Sequence, residues 1–159
     1  MIEIISYNQK YQPDFKRLNL EWLEKYSLAE SHDLEILDNP EETVIKSGGC
    51  IFLAMDTDPD GYREVIGTAG LYKENETEYE LVKMAVDPQY RGQGISKILL
   101  DRCLAEAEKL KAQKIFLFSN SQLKTALKLY EKYGFQYVEV TGTTLLTADI
   151  KMELSLSSN

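Results

Sequence analysis

Tyr79-Glu80-Leu81-Val82-Lys83-Met84-Ala85-Val86-Asp87-Pro88-Gln89-Tyr90-Arg91-Gly92-Gln93-Gly94-Ile95-Ser96-Lys97 is the stretch whose reading decides the fold. Leu81 to Val86 is a short, mostly apolar run with one lysine inside it, the pattern of a strand buried on both faces. Asp87-Pro88 stops that strand, because proline brings no N–H to a ladder. Arg91, Gly92, Gln93 and Gly94 come next, and a long helical pattern follows. A strand, a glycine-bearing turn and a helix start together present free backbone N–H groups. The first helical turn adds unpaired donors and the positive end of the helix dipole. Gly92 and Gly94 let the backbone approach an anion with no Cβ in the way.

Two familiar phosphate loops do not fit these residues. The dinucleotide fingerprint needs a third glycine where Lys97 stands, and an acidic residue closing the next strand. That strand, Ile115 to Phe118, runs instead into Ser119 and Asn120. The P-loop needs Lys-Ser/Thr directly after its last glycine, where this chain has Ile95-Ser96.

Working outward, 159 residues suffice for one domain with a substantial core, expected over 1–159. The opening Met1-Ile2-Glu3-Ile4-Ile5 is too short and acidic for a signal peptide, and no apolar run approaches the roughly 20 residues of a membrane span. Two cysteines, Cys50 and Cys103, make no disulfide framework and no metal spacing, so a reducing, cytoplasmic setting is the default expectation. One histidine argues against zinc, and no metal is expected. The net charge of −8 argues against a general nucleic-acid binder. That charge is uneven: Lys83 to Lys132 holds ten basic and five acidic residues, so the remainder is strongly acidic. A basic segment around an anion-binding turn suits a polyanionic ligand, and the acidic remainder would favour a cationic one. Most such charges, taken singly, belong to solvated surface.

Along the chain, Ile2 to Tyr7 alternates as a first strand. Pro13 opens a helical pattern with Phe15, Leu18, Trp22, Leu23 and Tyr26 on one stripe. Trp22 and Tyr26 read first as core packing and second as acceptor contacts. His32, with Ser31 and Asp33, reads as a polar connection. Asn39-Pro40-Glu41-Glu42 looks like a helix start with Asn39 able to cap, and Ser47-Gly48-Gly49 ends it. Cys50 to Met55 and Glu64 to Tyr72 form strands around a turn, and Lys73 to Thr77 turns into the central strand. The helix from about Gly94 to Lys111 has Ile95, Ile98, Leu99, Cys103, Ala107 and Leu110 on one face, which makes Cys103 a small core residue. Ile115 to Phe118 is a second apolar strand, parallel to the central one through the helical crossover. Leu123, Ala126, Leu127, Tyr130 and Tyr133 stripe another helix, closed by Gly134 as a C-cap. Gln136 to Val140 and Asp149 to Ser155 are the last strands, around an irregular loop, Thr141 to Thr147.

With both halves in view, the central stretch resembles the acyl-CoA pyrophosphate loop of the GNAT superfamily of N-acetyltransferases. That family's signature is Gln/Arg-x-x-Gly-x-Gly/Ala, which Gln89, Gly92 and Gly94 match. A second signature follows in the right order at Leu129-Tyr130-Glu131-Lys132-Tyr133-Gly134-Phe135. The resemblance is tight from about Glu78 to Phe135 and looser over the first seventy residues.

The resemblance implies an α/β (α+β) fold: a mixed, mostly antiparallel sheet with helices on both faces and a splayed strand pair that holds acyl-CoA. Acetyl-CoA would be the co-substrate. Its pantetheine arm would pair with the backbone of Met84, Ala85 and Val86 as an added strand does. Its pyrophosphate would lie on the amides of Arg91, Gly92, Gln93, Gly94, Ile95 and Ser96, near Gln89. Many relatives carry an asparagine where this chain has Leu123, which leaves Asn120 as the substitute contact. Glu80 matches the position of the family's central-strand general base, with an ion-paired strand residue as its plain alternative. Tyr130 resembles the general-acid tyrosine that serves the leaving thiolate, with simple core packing as the competing role.

The implied activity is acetyl transfer from acetyl-CoA to a primary amine by direct attack in a ternary complex. A small cationic acceptor is favoured by charge, with a protein or peptide amine the alternative. A non-catalytic acyl-CoA sensor belongs to a different class, and the pairing of Glu80 with Tyr130 argues for the enzyme. Monomer and homodimer are both open.

Overall fold

A computed structural model describes residues 1–143 and 146–156. Its backbone is a seven-stranded sheet in the order β1-β2-β3-β4-β5-β7-β6. The strands are β1 (Ile2–Ser6), β2 (Cys50–Thr57), β3 (Arg63–Lys73), β4 (Glu78–Val86), β5 (Lys114–Ser119), β6 (Gln136–Val138) and β7 (Ile150–Ser155). Every neighbouring pair is antiparallel except β4 and β5, as the helical crossover between them demands. The mixed, mostly antiparallel fold class follows the sequence reading.

Four helices cover the sheet: α1 (Gln12–Lys25), α2 (Ser31–Asp38), α3 (Ile95–Lys109) and α4 (Lys124–Lys132). Alternation along β2 sends Phe52 and Ala54 into one core with α3 and α4, and Ile51, Leu53 and Met55 into a second with α1 and α2. The two cores lie on opposite faces of one sheet, with β3 and β4 shared between them.

Several expectations change. Ser31 to Asp33 is the first turn of α2, not a connection, because Asp33 Oδ2 accepts the Glu30 N–H at 3.0 Å and starts a helix there. His32 is exposed on it. The stretch after Pro40 is a single π turn, Glu41–Ile45, and Asn39 does not cap it: its side-chain amide donates back to the Glu35 carbonyl of α2. On α3, Leu100 is buried and Ile98 is 44 % exposed, since the stripe drifts around the cylinder over four turns. β6 is short and exposed, and β4 is only half-buried from Val82 to Met84 because those residues face a cavity. Of the expected 141–147 loop, residues 144 and 145 lie outside the described residues. Among the described residues no helix is long and apolar enough to cross a membrane.

Candidate functional site

β4 and β5 pair only at Glu78–Lys114, Tyr79–Ile115 and Glu80–Phe116, then separate. Beyond Glu80 the two strands splay, and a cavity of about 920 Å³ opens between them. Its volume is that of a site for a drug-sized or larger ligand. The splay leaves the inner backbone of Met84, Ala85 and Val86 without a strand partner on the β5 side.

One end of the cavity is the glycine turn. Asp87 Oδ1 accepts the Gln89 N–H at 2.9 Å and sets up a single 3₁₀ turn, Pro88–Tyr90. Tyr90 anchors that turn to β2 by donating to Asp56 Oδ2 at 2.8 Å, a contact that pushes its phenol up to about 12. The chain then passes through Gly92 at φ +78 and Gly94 at φ +77, both in the left-handed region. A Cβ on either glycine would meet nothing within 4 Å, so the concavity above the turn is open. Gly94 is the N-cap of α3, with no side chain to satisfy the first amides. No described protein acceptor takes the N–H groups of Gly92 through Lys97. A row of unpaired donors at the positive end of a fifteen-residue helix is built for an anion.

Cations line the cavity as well. Arg91, Lys97, Lys124, Lys128 and Lys132 line the cavity, and among the described residues none of them makes an ion pair within 4.0 Å. The three α4 lysines were not singled out by sequence reasoning, although their i, i+4, i+8 spacing places them on one helical face. Gln89, the first residue of the signature, and Gln93, at one of its variable positions, are exposed and do not line the cavity. Asn120 lines it, but its amide is engaged at both ends. Nδ2 donates to the Thr147 carbonyl at 2.7 Å, and Oδ1 accepts the Gln122 N–H at 2.9 Å.

The other end holds the titratable groups. Tyr130 is 7 % exposed, packed on Phe135 with ring centroids 5.7 Å apart. Among the described residues its hydroxyl reaches only a thioether, Met84 Sδ, at 4.0 Å. Burial drives its phenol well above the usual tyrosine value. Glu80 lies on the same cavity wall, and burial raises its carboxyl to about 7 against the opposing pull of the Lys83 ammonium. The ion-paired alternative finds no support, since Glu80 makes no ion pair among the described residues. Lys83 is instead paired with Asp33 of α2, with side chains 9 % and 8 % exposed. Trp22 and Tyr26 of the α1 segment complete this wall, and Trp22 Nε1 is a buried donor with no described partner. A carboxyl poised near neutrality and a phenol that keeps its proton therefore line one space. Among the described residues no cluster of His, Cys, Asp or Glu is placed to hold a metal.

Known proteins share this fold. An acetyltransferase of the GNAT family from Staphylococcus aureus superposes with a TM-score of 0.86 at 25 % identity, over 99 % of this chain and 100 % of that one. The PaiA N-acetyltransferase of Thermoplasma acidophilum, solved in complex with coenzyme A, gives 0.73 at 19 % identity, over 98 % and 99 % of the two chains. The amino-acid acetyltransferase of Mycobacterium tuberculosis is 31 % identical over 86 residues, which are 54 % of this chain and 47 % of that protein. The chain thus spans about half the length of that curated relative. Residues 12–135 match the model of the acetyltransferase (GNAT) family, a span running from α1 through both walls of the cleft to Phe135. On the strength of that match the chain belongs to the GNAT family of acetyltransferases.

Proposed function

We propose that the chain, as one catalytic unit over residues 1–159, moves an acetyl group from acetyl-CoA to a primary amine by direct attack in a ternary complex. The observation that carries this reading is one continuous cavity, running from the unpaired amides of Gly92 to Lys97 to the Tyr130 hydroxyl and the Glu80 carboxyl. The residues present fit coenzyme A. The open glycine concavity and the unpaired cations that line the cavity suit a diphosphate, and the unpartnered edge of β4 suits the amides of a pantetheine arm. Acetyl-CoA supplies the activated thioester. A cytoplasmic setting accords with that co-substrate.

The chain's own residues then have distinct tasks. A lysine-like amine has a pKa near 10.4 and is an ammonium at neutral pH. Glu80 accepts the proton it must lose, and a carboxyl poised near 7 is matched to that work. A backbone N–H near Met84 or Val86 meets the negative charge that develops on the acyl oxygen. Tyr130 donates its O–H to the departing sulfur, for which Met84 Sδ is the present neighbour. The excess of acidic over basic residues outside Lys83 to Lys132, Glu21 and Glu24 of α1 among them, favours a small cationic acceptor.

A thiol-release assay with acetyl-CoA against a diverse amine panel tests the proposal. Cationic amines are expected to outpace neutral and anionic ones. Binding of acetyl-CoA with no thiol release from any amine would leave a sensor instead of an enzyme.

Glu80 can be tested separately, through stability. Its folded pKa of about 7 lies above the value near 4.3 of an unfolded glutamate. Between those values the folded chain holds a proton that the unfolded chain has lost, so stability falls as pH rises through this window. Glu80→Gln is therefore expected to stabilise the fold at pH 8 by on the order of 2 kcal/mol, with a smaller gain at pH 5.5. The same substitution is expected to remove the acidic limb near pH 7 from the pH–rate profile. Thermal melts at the two pH values decide the point: a variant destabilised at both would make Glu80 a structural partner rather than a base.

A further inference from the structure

Lys83 has φ +51, a left-handed conformation that a side chain of this length rarely adopts. It lies where β4 carries one residue more than β3: Thr68 pairs with Ala85 and Gly70 with Val82, so Ala69 alone stands opposite Lys83 and Met84. The bulge changes which way the rest of β4 faces. Before it, Tyr79 and Leu81 pack in the core under α3 and α4. Strict alternation would put Ala85 in that core with them. Ala85 packs instead in the core under α1, while Met84 and Val86 pack on the α3 and α4 side, where Tyr130 lies.

A buried hydrogen-bond chain holds the residue that makes this switch. The Thr68 hydroxyl donates to the Lys83 carbonyl at 2.7 Å. Asn19 Nδ2 donates to that hydroxyl at 3.0 Å and to the Phe15 carbonyl of α1 at 2.9 Å. Thr68 and Asn19 are both 0 % exposed, and their hydrogen bond joins α1 to this part of the sheet. On the other side the Lys83 ammonium is tied to α2 through Asp33. A non-glycine residue persists in such a conformation when its surroundings over-determine it, and strained positions of this kind gather at functional sites.

We infer that Thr68 and Asn19 are positioning residues for acyl transfer: by fixing the bulge at Lys83 they present the Met84–Val86 backbone to the pantetheine end of the ligand. The inference rests on the acyl-CoA reading above. It separates two halves of one ligand, because the glycine turn that would hold the phosphates is anchored through Tyr90 and Asp56, away from Thr68.

The test compares coenzyme A with its nucleotide half, adenosine 3′-phosphate 5′-diphosphate, by calorimetry. Thr68→Val keeps the side-chain volume and removes the hydroxyl. It is expected to weaken coenzyme A at least tenfold and leave the nucleotide within twofold. Thr68→Ser, which restores the donor, is expected to recover coenzyme A affinity to within threefold. Asn19→Leu gives the same split in smaller degree, and it serves if Thr68→Val does not fold. Equal losses for both ligands, or coenzyme A affinity unchanged in a folded variant, would overturn the inference. Wild-type protein that binds neither ligand would remove the acyl-CoA reading itself, and this inference with it.

Discussion

Gly94→Glu should raise the Kd for coenzyme A at least 100-fold while the protein remains folded. Three effects act together. Gly94 sits at φ +77, where an L-residue costs roughly 1–2 kcal/mol. Its side chain would rise into the open concavity above the turn, where nothing lies within 4 Å of a Cβ. A carboxylate there would itself take the unpaired donors of Ile95 to Lys97, and would repel a diphosphate. A 100-fold loss corresponds to about 2.8 kcal/mol, within the reach of losing an anion from a helix N-terminus together with its charge-assisted hydrogen bonds. Gly94→Ala separates the causes, since it carries the strain without the charge and is expected to change Kd by less than tenfold. Calorimetry with coenzyme A and thermal melts of both variants provide the measurement. Tight binding retained by Gly94→Glu would mean that the amides of this turn are not the phosphate grip.

Why that turn was legible in the sequence, and its surroundings less so, follows from how each is held. The turn is written in local signals: Pro88 ends a strand, Gly92 and Gly94 adopt conformations that suit glycine, and α3 begins with a long apolar stripe. Tyr130 and Gly134 are legible for the same reason, as residues of one short helix and its left-handed cap at φ +93. Most of the features that were missed depend on partners far away in the chain. α2 starts with Glu30 and Asp33 and is secured by Lys83, fifty residues on. Lys83 is left-handed where Thr68, itself held by Asn19, donates to its carbonyl, and no local propensity announces that. Asn120 looked free to meet a ligand, yet Thr147 takes its amide across twenty-seven residues. Gln89 matches a signature and still ends up exposed, because a one-turn 3₁₀ helix capped by Asp87 carries it there. A motif names the residue types that the chemistry needs, and which of them face the cavity is decided by hydrogen bonds from outside the motif.

Tyr130→Phe is expected to lower kcat roughly 10- to 100-fold and to leave the Kd for coenzyme A within twofold. The size follows from what the hydroxyl can do in its surroundings. Burial holds its pKa above the ordinary value near 10, and hence well above a departing thiol near 8.5. Complete proton transfer to the sulfur is therefore uphill, and the stabilising contribution is a hydrogen bond from a phenol that keeps its proton. A bond to a charged acceptor is worth about 1.5–3 kcal/mol, or about one to two powers of ten in rate. The ring contributes nothing to that difference, because phenylalanine preserves its packing on Phe135. The present neighbour of the hydroxyl, a thioether at 4.0 Å, is weak enough to give way to a thiolate. The same upward shift means that Tyr130 titrates nowhere in the working range, so the pH–rate profile should show no alkaline limb below pH 10 that Tyr130→Phe removes. Thiol release with the best amine of the panel, run beside calorimetry, separates the outcomes. Turnover unchanged in Tyr130→Phe would reduce the residue to a core aromatic, whereas a parallel loss of affinity would make it a binding contact instead of a donor to the leaving group.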